Sequence, residues 1–148
     1  MSKILGLDVG DSKIGIALSD TLRLTAQGVT TFQRKNVQTD LGYLRQLITE
    51  NEVTEVVVGL PVKMNGERDA QTKKILRFAQ LLRQTFHIPV MTWDERFSTI
   101  EASRTLELGK VGKKKRAALL DKVAAIIILQ GYLDNRNDSE ITLMPSFS

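Results

Sequence analysis

The chain has 148 residues, of which 42% are hydrophobic and 26% charged, a composition that fits one globular domain. It contains no cysteine, which excludes a disulfide scaffold, a thiol nucleophile and any cysteine-ligated metal site. Its 21 basic and 17 acidic residues leave a net charge of +4, which permits a polyanionic partner without demanding one. We expect a cytoplasmic protein, because no signal-peptide pattern is present and the most apolar later stretch, residues 123–129, is too short for a membrane span.

The first part of the chain predicts three antiparallel strands. Two short runs of strand-forming residues, Ile4–Leu7 and Ile14–Leu18, flank the turn sequence Gly10-Asp11-Ser12 and predict a hairpin. Asp20-Thr21 predicts a second turn, and a third strand follows from about Leu24 to Phe32.

The spacing then changes to that of helices alternating with strands. Apolar residues predict helices over 41–48 and 75–86, each followed by a strand, at 55–58 and 88–93. A capping box at 98–101 and a last helix over 116–133 follow. The sequence therefore predicts an α/β domain over residues 1–134, with a five-stranded mixed sheet flanked by helices and a polar tail at 135–148. In that sheet an antiparallel three-strand meander precedes two parallel strands.

Asp8 occupies a position that is costly for an acid. It ends the first apolar strand, and a carboxylate beside a sheet core is unfavourable unless something pairs with it. Two interpretations stay open at this point. Asp8 is either a functional carboxylate or the first residue of a turn, Asp8-Val9-Gly10-Asp11.

Asp121 lies on a helical stripe of small residues. Its neighbours three and four positions away are all alanine, at 117, 118, 124 and 125. On a helix its carboxylate therefore points toward the sheet, and the alanines allow a close approach. Lys122 faces about 100° away and is a poor ion-pair partner. We favour a functional role for Asp121.

Asp94, Glu95 and Arg96 follow the predicted strand at 88–93, and the carboxyl ends of strands are where sites form in open α/β sheets. Taken alone, Asp94 and Arg96 are better explained as solvated loop charges. The ends of two strands and a helix packed on the sheet can nevertheless converge, and three carboxylates meeting there would repel one another. A divalent cation removes that conflict. Oxygen ligands, with no cysteine and a single histidine, favour Mg²⁺ or Mn²⁺ over zinc.

Two further groups are candidates for contacts with a phosphate backbone. The dense basic cluster is most often a solvated loop, but beside an acidic metal site it can attract phosphates; it consists of Lys110, Lys113, Lys114, Lys115 and Arg116. The Gly59-Leu60-Pro61 loop with Asn65 follows the fourth strand at the same sheet edge. It is either a substrate contact or a plain connection.

Several segments, in this order and spacing, carry a family resemblance: Gly6–Gly10 with Ile14–Ala17, Val58–Pro61, Asp94–Thr99 and Asp121–Ala125 leading to Gln130. Together they resemble the YqgF family, also called RuvX. Its members are bacterial proteins described as Holliday-junction resolvases and as pre-16S ribosomal RNA nucleases. The resemblance covers nearly the whole chain, from Ile4 to about Leu133.

The resemblance implies a ribonuclease H-like fold and a nuclease whose catalytic and metal-binding acids are Asp8, Glu95 and Asp121. It also implies hydrolysis by two Mg²⁺ or Mn²⁺ ions about 3.5–4 Å apart, with Asp8 bridging them. Lys13 is one candidate for binding the nucleic-acid backbone; the family often has arginine at this position, and a lysine weakens the case for a bidentate phosphate contact. The remaining candidates for binding the nucleic-acid backbone are Arg96, Ser98, Thr99, Asn65 and the cluster from Lys110 to Arg116.

We expect a nucleic-acid partner and, within it, two possible substrates. Precursor ribosomal RNA is favoured, with ribosomal components as further partners, because the basic surface is limited and no dimer signal stands out. A four-way DNA junction is the alternative, since a resolvase needs a dimer that makes two symmetric cuts. The chain is accordingly expected to be a monomer or a weak homodimer.

Two other classes of protein share some of these features. Asp8-x-Gly10 near the end of a first strand also occurs in actin-like and sugar-kinase ATPases, but those place ATP between two such domains and this chain has room for one. A non-catalytic nucleic-acid-binding factor in transcription or ribosome assembly is the second alternative. Carboxylates clustered beside phosphates argue against it, because they weaken binding.

Overall fold

A computed structural model of the protein describes residues 2–61, 69–95 and 123–136. Residues 123–136 are helical and are called α3 here. Within the described ranges no helix is both long and apolar enough to cross a membrane. The other elements, in chain order, are β1 (Lys3–Val9), β2 (Lys13–Ser19), β3 (Ala26–Gln33), α1 (Val37–Glu50), β4 (Val53–Leu60), α2 (Ala70–Phe86) and β5 (Val90–Asp94).

The five strands form one mixed sheet in the order β3-β2-β1-β4-β5. Strand β1 pairs antiparallel with β2, and β2 pairs antiparallel with β3. Strand β4 lies parallel to β1, and β5 lies parallel to β4. The predicted sheet, a three-strand meander followed by two parallel strands, is confirmed, and β1 is its central strand.

Three of the strands, β1, β2 and β4, are longer than the apolar runs that predicted them, whereas β3 and β5 begin two residues later than predicted. Strand β1 continues through Asp8 to Val9, two residues beyond the apolar run that predicted it. Gly59 and Leu60 were predicted in a loop, but both belong to β4, where they pair with β5. Helix α3 continues three residues past its predicted end at 133. The predicted capping box at 98–101 lies outside the described residues.

The two faces of the sheet carry separate cores because successive strand residues point to opposite sides. Leu5, Leu7 and Val9 of β1 pack in one core with residues of α1 and α2. Ile4 of the same strand packs in the other core, with α3. We call these the α1/α2 face and the α3 face.

Asp20 closes the turn between β2 and β3, as the sequence predicts. Its carboxylate accepts hydrogen bonds from the backbone N–H groups of Leu24 (2.8 Å) and Thr25 (3.2 Å). These bonds stabilise the charged form and lower the pKa of Asp20 below its usual value. Asp20 lies just past the end of β2, opposite the end of the sheet where β1 finishes, so its role is in the turn.

Helix α3 lies very close to the sheet because glycines stand beneath it. A Cβ added to Gly6 of β1 would lie 2.7 Å from Cβ of Leu129, and one added to Gly59 of β4 would lie 2.3 Å from Cδ1 of Ile128. Both Leu129 and Ile128 are fully buried. The two glycines therefore set the distance between α3 and the strands.

We expect Gly59→Ala to lower the free energy of unfolding by about 1–3 kcal/mol, the usual cost of overpacking a core. Adding Ile128→Val removes the Cδ1 atom that the new methyl group would meet. The double variant should therefore be more stable than the sum of the two single changes predicts, by at least about 0.5 kcal/mol. Urea unfolding of the four proteins measures this coupling.

Gly42 provides the control for this prediction. It lies inside α1, and a Cβ added there would meet nothing within 4 Å. Gly42→Ala should stabilise the protein by about 0.5–1 kcal/mol, the difference between the two residues in a helix. If Gly59→Ala were as harmless as Gly42→Ala, the close approach of α3 would not be what Gly59 provides.

Candidate active site

Asp8 lies in the body of the central strand, between Leu7 and Val9, and is half-buried. Its two neighbours pack on the α1/α2 face, so strand alternation directs the Asp8 side chain to the α3 face. Asp8 pairs with Gly15 of β2. The turn begins only after Val9, which rejects the interpretation of Asp8 as a turn residue.

Glu95 follows the last residue of β5 and is also partly exposed. Trp93, two residues earlier, packs edge-on against Tyr132 of α3, with ring centroids 6.3 Å apart. Asp94 pairs with Leu60, whose side chain belongs to the α1/α2 core. Alternation therefore places Asp94 on the α1/α2 side of the sheet, away from Asp8. Glu95 lies in a 3₁₀ turn at the carboxyl end of β5. Only β4 separates β1 from β5, so their backbones lie about 10 Å apart.

Helix α3 runs antiparallel to β1 and β4. Tyr132 donates a hydrogen bond to Glu55 near the start of β4, and Arg136 lies 3.6 Å from the same carboxylate. Ile128 lies over Gly59 near the end of β4. Contacts thus move toward the carboxyl ends of the strands as the helix numbering falls. The described part of α3 begins at residue 123, on that side, and Asp121 lies outside the described residues.

Lys13 begins β2 and is half-buried. Its backbone carbonyl accepts a hydrogen bond from the N–H of Gly10 at 2.8 Å. Lys13 stands two residues from Gly15, the partner of Asp8, so both side chains lie on the α3 face. Diagonal neighbours of this kind have Cβ atoms about 7–8 Å apart. The structure therefore brings this predicted phosphate contact next to Asp8.

The other predicted contacts with nucleic acid lie outside the described residues. They are Asn65, Arg96, Ser98, Thr99, Lys110, Lys113, Lys114, Lys115 and Arg116.

Sequence reasoning missed an ion pair that supports the turn after Asp8. Arg34 bonds to the carboxylate of Asp40 at 3.0 Å and donates a second hydrogen bond to the carbonyl of Gly10 at 2.9 Å. Its guanidinium also lies 4.9 Å from the ring centroid of Phe78. The backbone N–H of Lys35 donates to the other oxygen of Asp40 at 3.1 Å. This pair ties the β1–β2 turn to both helices of the α1/α2 face.

Only part of the signal for that ion pair is present in the sequence. An acid in the first turn of a helix is favourable, and Asp40 occupies that position in α1. Arg34 precedes the helix, six residues away, at neither helical nor strand spacing. No pattern therefore connects the two residues.

The carboxylates of the described residues can be compared with the ligands that the expected metal ion requires. The residues described contain no cluster of three or more histidine, aspartate or glutamate side chains that could hold one. The predicted triad includes Asp121, which is outside those residues. Asp8 and Glu95 fit Mg²⁺ or Mn²⁺ in chemistry, because both supply carboxylate oxygens to one edge of the sheet.

Comparison with known proteins places these features in a family. A family model described as "RuvX: Holliday junction resolvase" matches residues 2–135. A protein of Clostridium acetobutylicum named "Putative pre-16S rRNA nuclease" is 47% identical over 133 residues, which cover 90% of this chain and 98% of that protein. A protein of the same name from Koribacter versatilis is 46% identical over 134 residues, covering 90% of this chain and 88% of that protein.

Among solved structures, RuvC of T. thermophilus in complex with a Holliday junction substrate resembles this chain, with a TM-score of 0.58. The match covers 90% of this chain and 95% of that chain at 14% sequence identity. At such identity the similarity concerns the fold alone. It confirms the ribonuclease H-like fold that the sequence predicts.

We expect Asp40→Asn to lower the free energy of unfolding by about 3 kcal/mol, the lower end of the cost of breaking a buried ion pair. The lower end applies because Asp40 is 1% exposed while Arg34 keeps 20% of its side chain exposed. The matched control is Asp11→Asn. Asp11 pairs with Lys74 at 3.7 Å, but both side chains are largely exposed, so its loss should change stability by less than about 0.5 kcal/mol. Equal effects of the two variants in guanidinium unfolding would contradict the role assigned to Asp40.

Proposed function

The chain belongs to the RuvX family, and from that premise we propose that it is a metal-dependent endonuclease that cuts phosphodiester bonds in processing the ends of pre-16S ribosomal RNA. The observation that carries the proposal is the position of Asp8. It is a half-buried carboxylate near the carboxyl end of the central strand, on the face that α3 covers. The names of the relatives support the choice of RNA as substrate.

Asp8, Glu95 and Asp121 are the residues that would hold the metal. Glu95 directly follows β5 at the carboxyl edge of the sheet, near which β1 carries Asp8, and the direction of α3 supports the inclusion of Asp121. Their carboxylate oxygens suit Mg²⁺ or Mn²⁺. Such ions, when bound, lower the pKa of an attacking water and offset negative charge on the phosphate.

The basic side chains would hold the nucleic acid against these acids. Lys13 is the described member of that group, and its ammonium group shares the α3 face with Asp8. An ammonium beside a phosphate offsets the repulsion between the phosphate and the carboxylates. The proposed group also includes the basic cluster from Lys110 to Arg116 and the polar residues Asn65, Arg96, Ser98 and Thr99.

The position of Asp8 favours catalysis over passive binding. A protein that only binds nucleic acid gains affinity from cations and loses it from carboxylates near phosphates. That loss of affinity has an explanation if the carboxylate holds a catalytic cation.

Holliday-junction resolution is the second candidate. It is favoured by the description of the family and by the fold shared with RuvC. Resolution requires a dimer whose two sites match the symmetry of the junction. Cleavage of precursor RNA needs one site, so a monomer in the cytoplasm suffices for the function we favour.

We expect Asp8→Asn, Glu95→Gln and Asp121→Asn each to reduce cleavage of RNA carrying precursor 16S ends by about 10²-fold or more. That factor corresponds to about 2.7 kcal/mol of transition-state stabilisation. Rates are measured with Mg²⁺ and with Mn²⁺, and a four-way DNA junction is offered in parallel. Preferential cleavage of the RNA supports the proposed substrate, and preferential cleavage of the junction supports the second candidate.

Asp20→Asn is the control for this experiment. It makes the same chemical change at the opposite end of the sheet, so it should leave cleavage unchanged. Full activity of Asp8→Asn with metal dependence retained would show that Asp8 is not a ligand. Tight binding of RNA without cleavage, indifferent to Mg²⁺, would support the non-catalytic factor.

A further inference from the structure

A pocket of about 300 Å³ lies on the α1/α2 face, behind the end of β1. It is bounded by the β1–β2 turn, the start of α1 and the first half of α2. We call it the rear pocket, because Asp8 lies on the opposite side of the same strand. Its volume is at the lower limit of ligand-binding pockets, which suits a ligand of about the size of one nucleotide.

Apolar side chains line the interior of the rear pocket. Val9 and Phe78 are buried there, and Val37, the first residue of α1, is 48% exposed at its mouth. An exposed apolar side chain beside a buried apolar surface gains free energy when a flat apolar group covers it. A nucleobase offers such a group, with two apolar faces.

Cations surround the mouth of the pocket. Arg34 is held by Asp40, so its charge is largely offset. Lys74 lies 3.7 Å from Asp11, but the two side chains are 61% and 73% exposed, and an ion pair of that kind is weak and easily exchanged. Arg77 is exposed, and within the described ranges it has no ion-pair partner. Lys74 and Arg77 are thus available to an anion.

The rear pocket and Asp8 are neighbours through the strand. Val9 lines the pocket, and Asp8 precedes it with its side chain on the other face. A single strand of nucleic acid that passes over the carboxyl edge of the sheet can therefore reach both. One part of it would face the acids, and a nearby nucleotide would enter the pocket.

We propose that the rear pocket binds one unpaired nucleotide of the substrate, near the bond that is cut. Its base rests on the exposed side chain of Val37 at the mouth of the pocket, and its phosphate lies between Lys74 and Arg77. The assignment rests on the proposed function, because it takes the ligand from the same nucleic-acid strand. It gives the enzyme a reason to prefer single-stranded RNA, since a paired base cannot enter.

The test compares two double variants that remove the same charge. Lys74→Gln with Arg77→Gln changes the pocket, whereas Lys73→Gln with Arg45→Gln changes exposed cations of α2 and α1 outside it. Binding of a fluorescent single-stranded RNA is measured by anisotropy in EDTA at several salt concentrations. Each phosphate contact to a single strand contributes about 0.7 to the slope of log affinity against log salt. The pocket variant should bind several-fold more weakly than its control, with a slope shallower by about 0.7, because one phosphate lies between the two cations.

A second measurement examines the base. A single abasic site is moved along the RNA, and wild-type affinity should fall several-fold at one or two adjacent positions only. Three results would overturn the assignment: equal affinities and slopes for the two double variants, no sensitive abasic position, or uridine monophosphate binding as tightly as the RNA. These results leave the nuclease proposal intact if wild-type protein still binds and cuts RNA, whereas failure of wild type to bind any nucleic acid would contradict both.

Discussion

The close approach of α3 to the sheet determines where the candidate active site lies. Gly6 and Gly59 leave no side chains beneath the helix, so Leu129 and Ile128 rest almost on the strand backbones. Glu55 holds the other end of the helix through Tyr132 and Arg136. With both contacts in place, α3 points its N-terminal side toward the carboxyl ends of β1 and β4.

Because strand residues alternate between the two faces of the sheet, the last two residues of β1 have different roles in the proposed enzyme. Asp8 faces α3 and the proposed metal, while Val9 faces α1, α2 and the rear pocket. The Arg34–Asp40 pair holds the turn that follows them through the carbonyl of Gly10. Two faces of one strand end thus serve chemistry and substrate binding in the proposed enzyme.

The local features of the fold could be predicted, because period-two and period-3.6 apolar patterns determine which side of each element is buried. Asp8 was recognisable as a costly acid, but the turn interpretation was rejected only when pairing with Gly15 placed it inside a strand. Gly6 and Gly59 stand in recognisable motifs, yet their contacts depend on a helix more than sixty residues away in the sequence. The Arg34–Asp40 pair and the rear pocket arise where separate elements meet, and no spacing along the chain encodes them.

We propose that Asp8, Glu95 and the start of α3 surround one metal-binding position. Paramagnetic broadening of NMR signals by Mn²⁺ tests this proposal directly. The amide signals of a ¹⁵N-labelled protein are recorded as Mn²⁺ is added in substoichiometric amounts. In the wild-type protein, the amide signals of Asp8, Glu95 and residues 123–124 should broaden first, and that of Asp20 should not broaden. In Asp8→Asn this broadening should disappear. Broadening centred on Asp11 or Asp20, or an unchanged pattern in Asp8→Asn, would contradict the proposal.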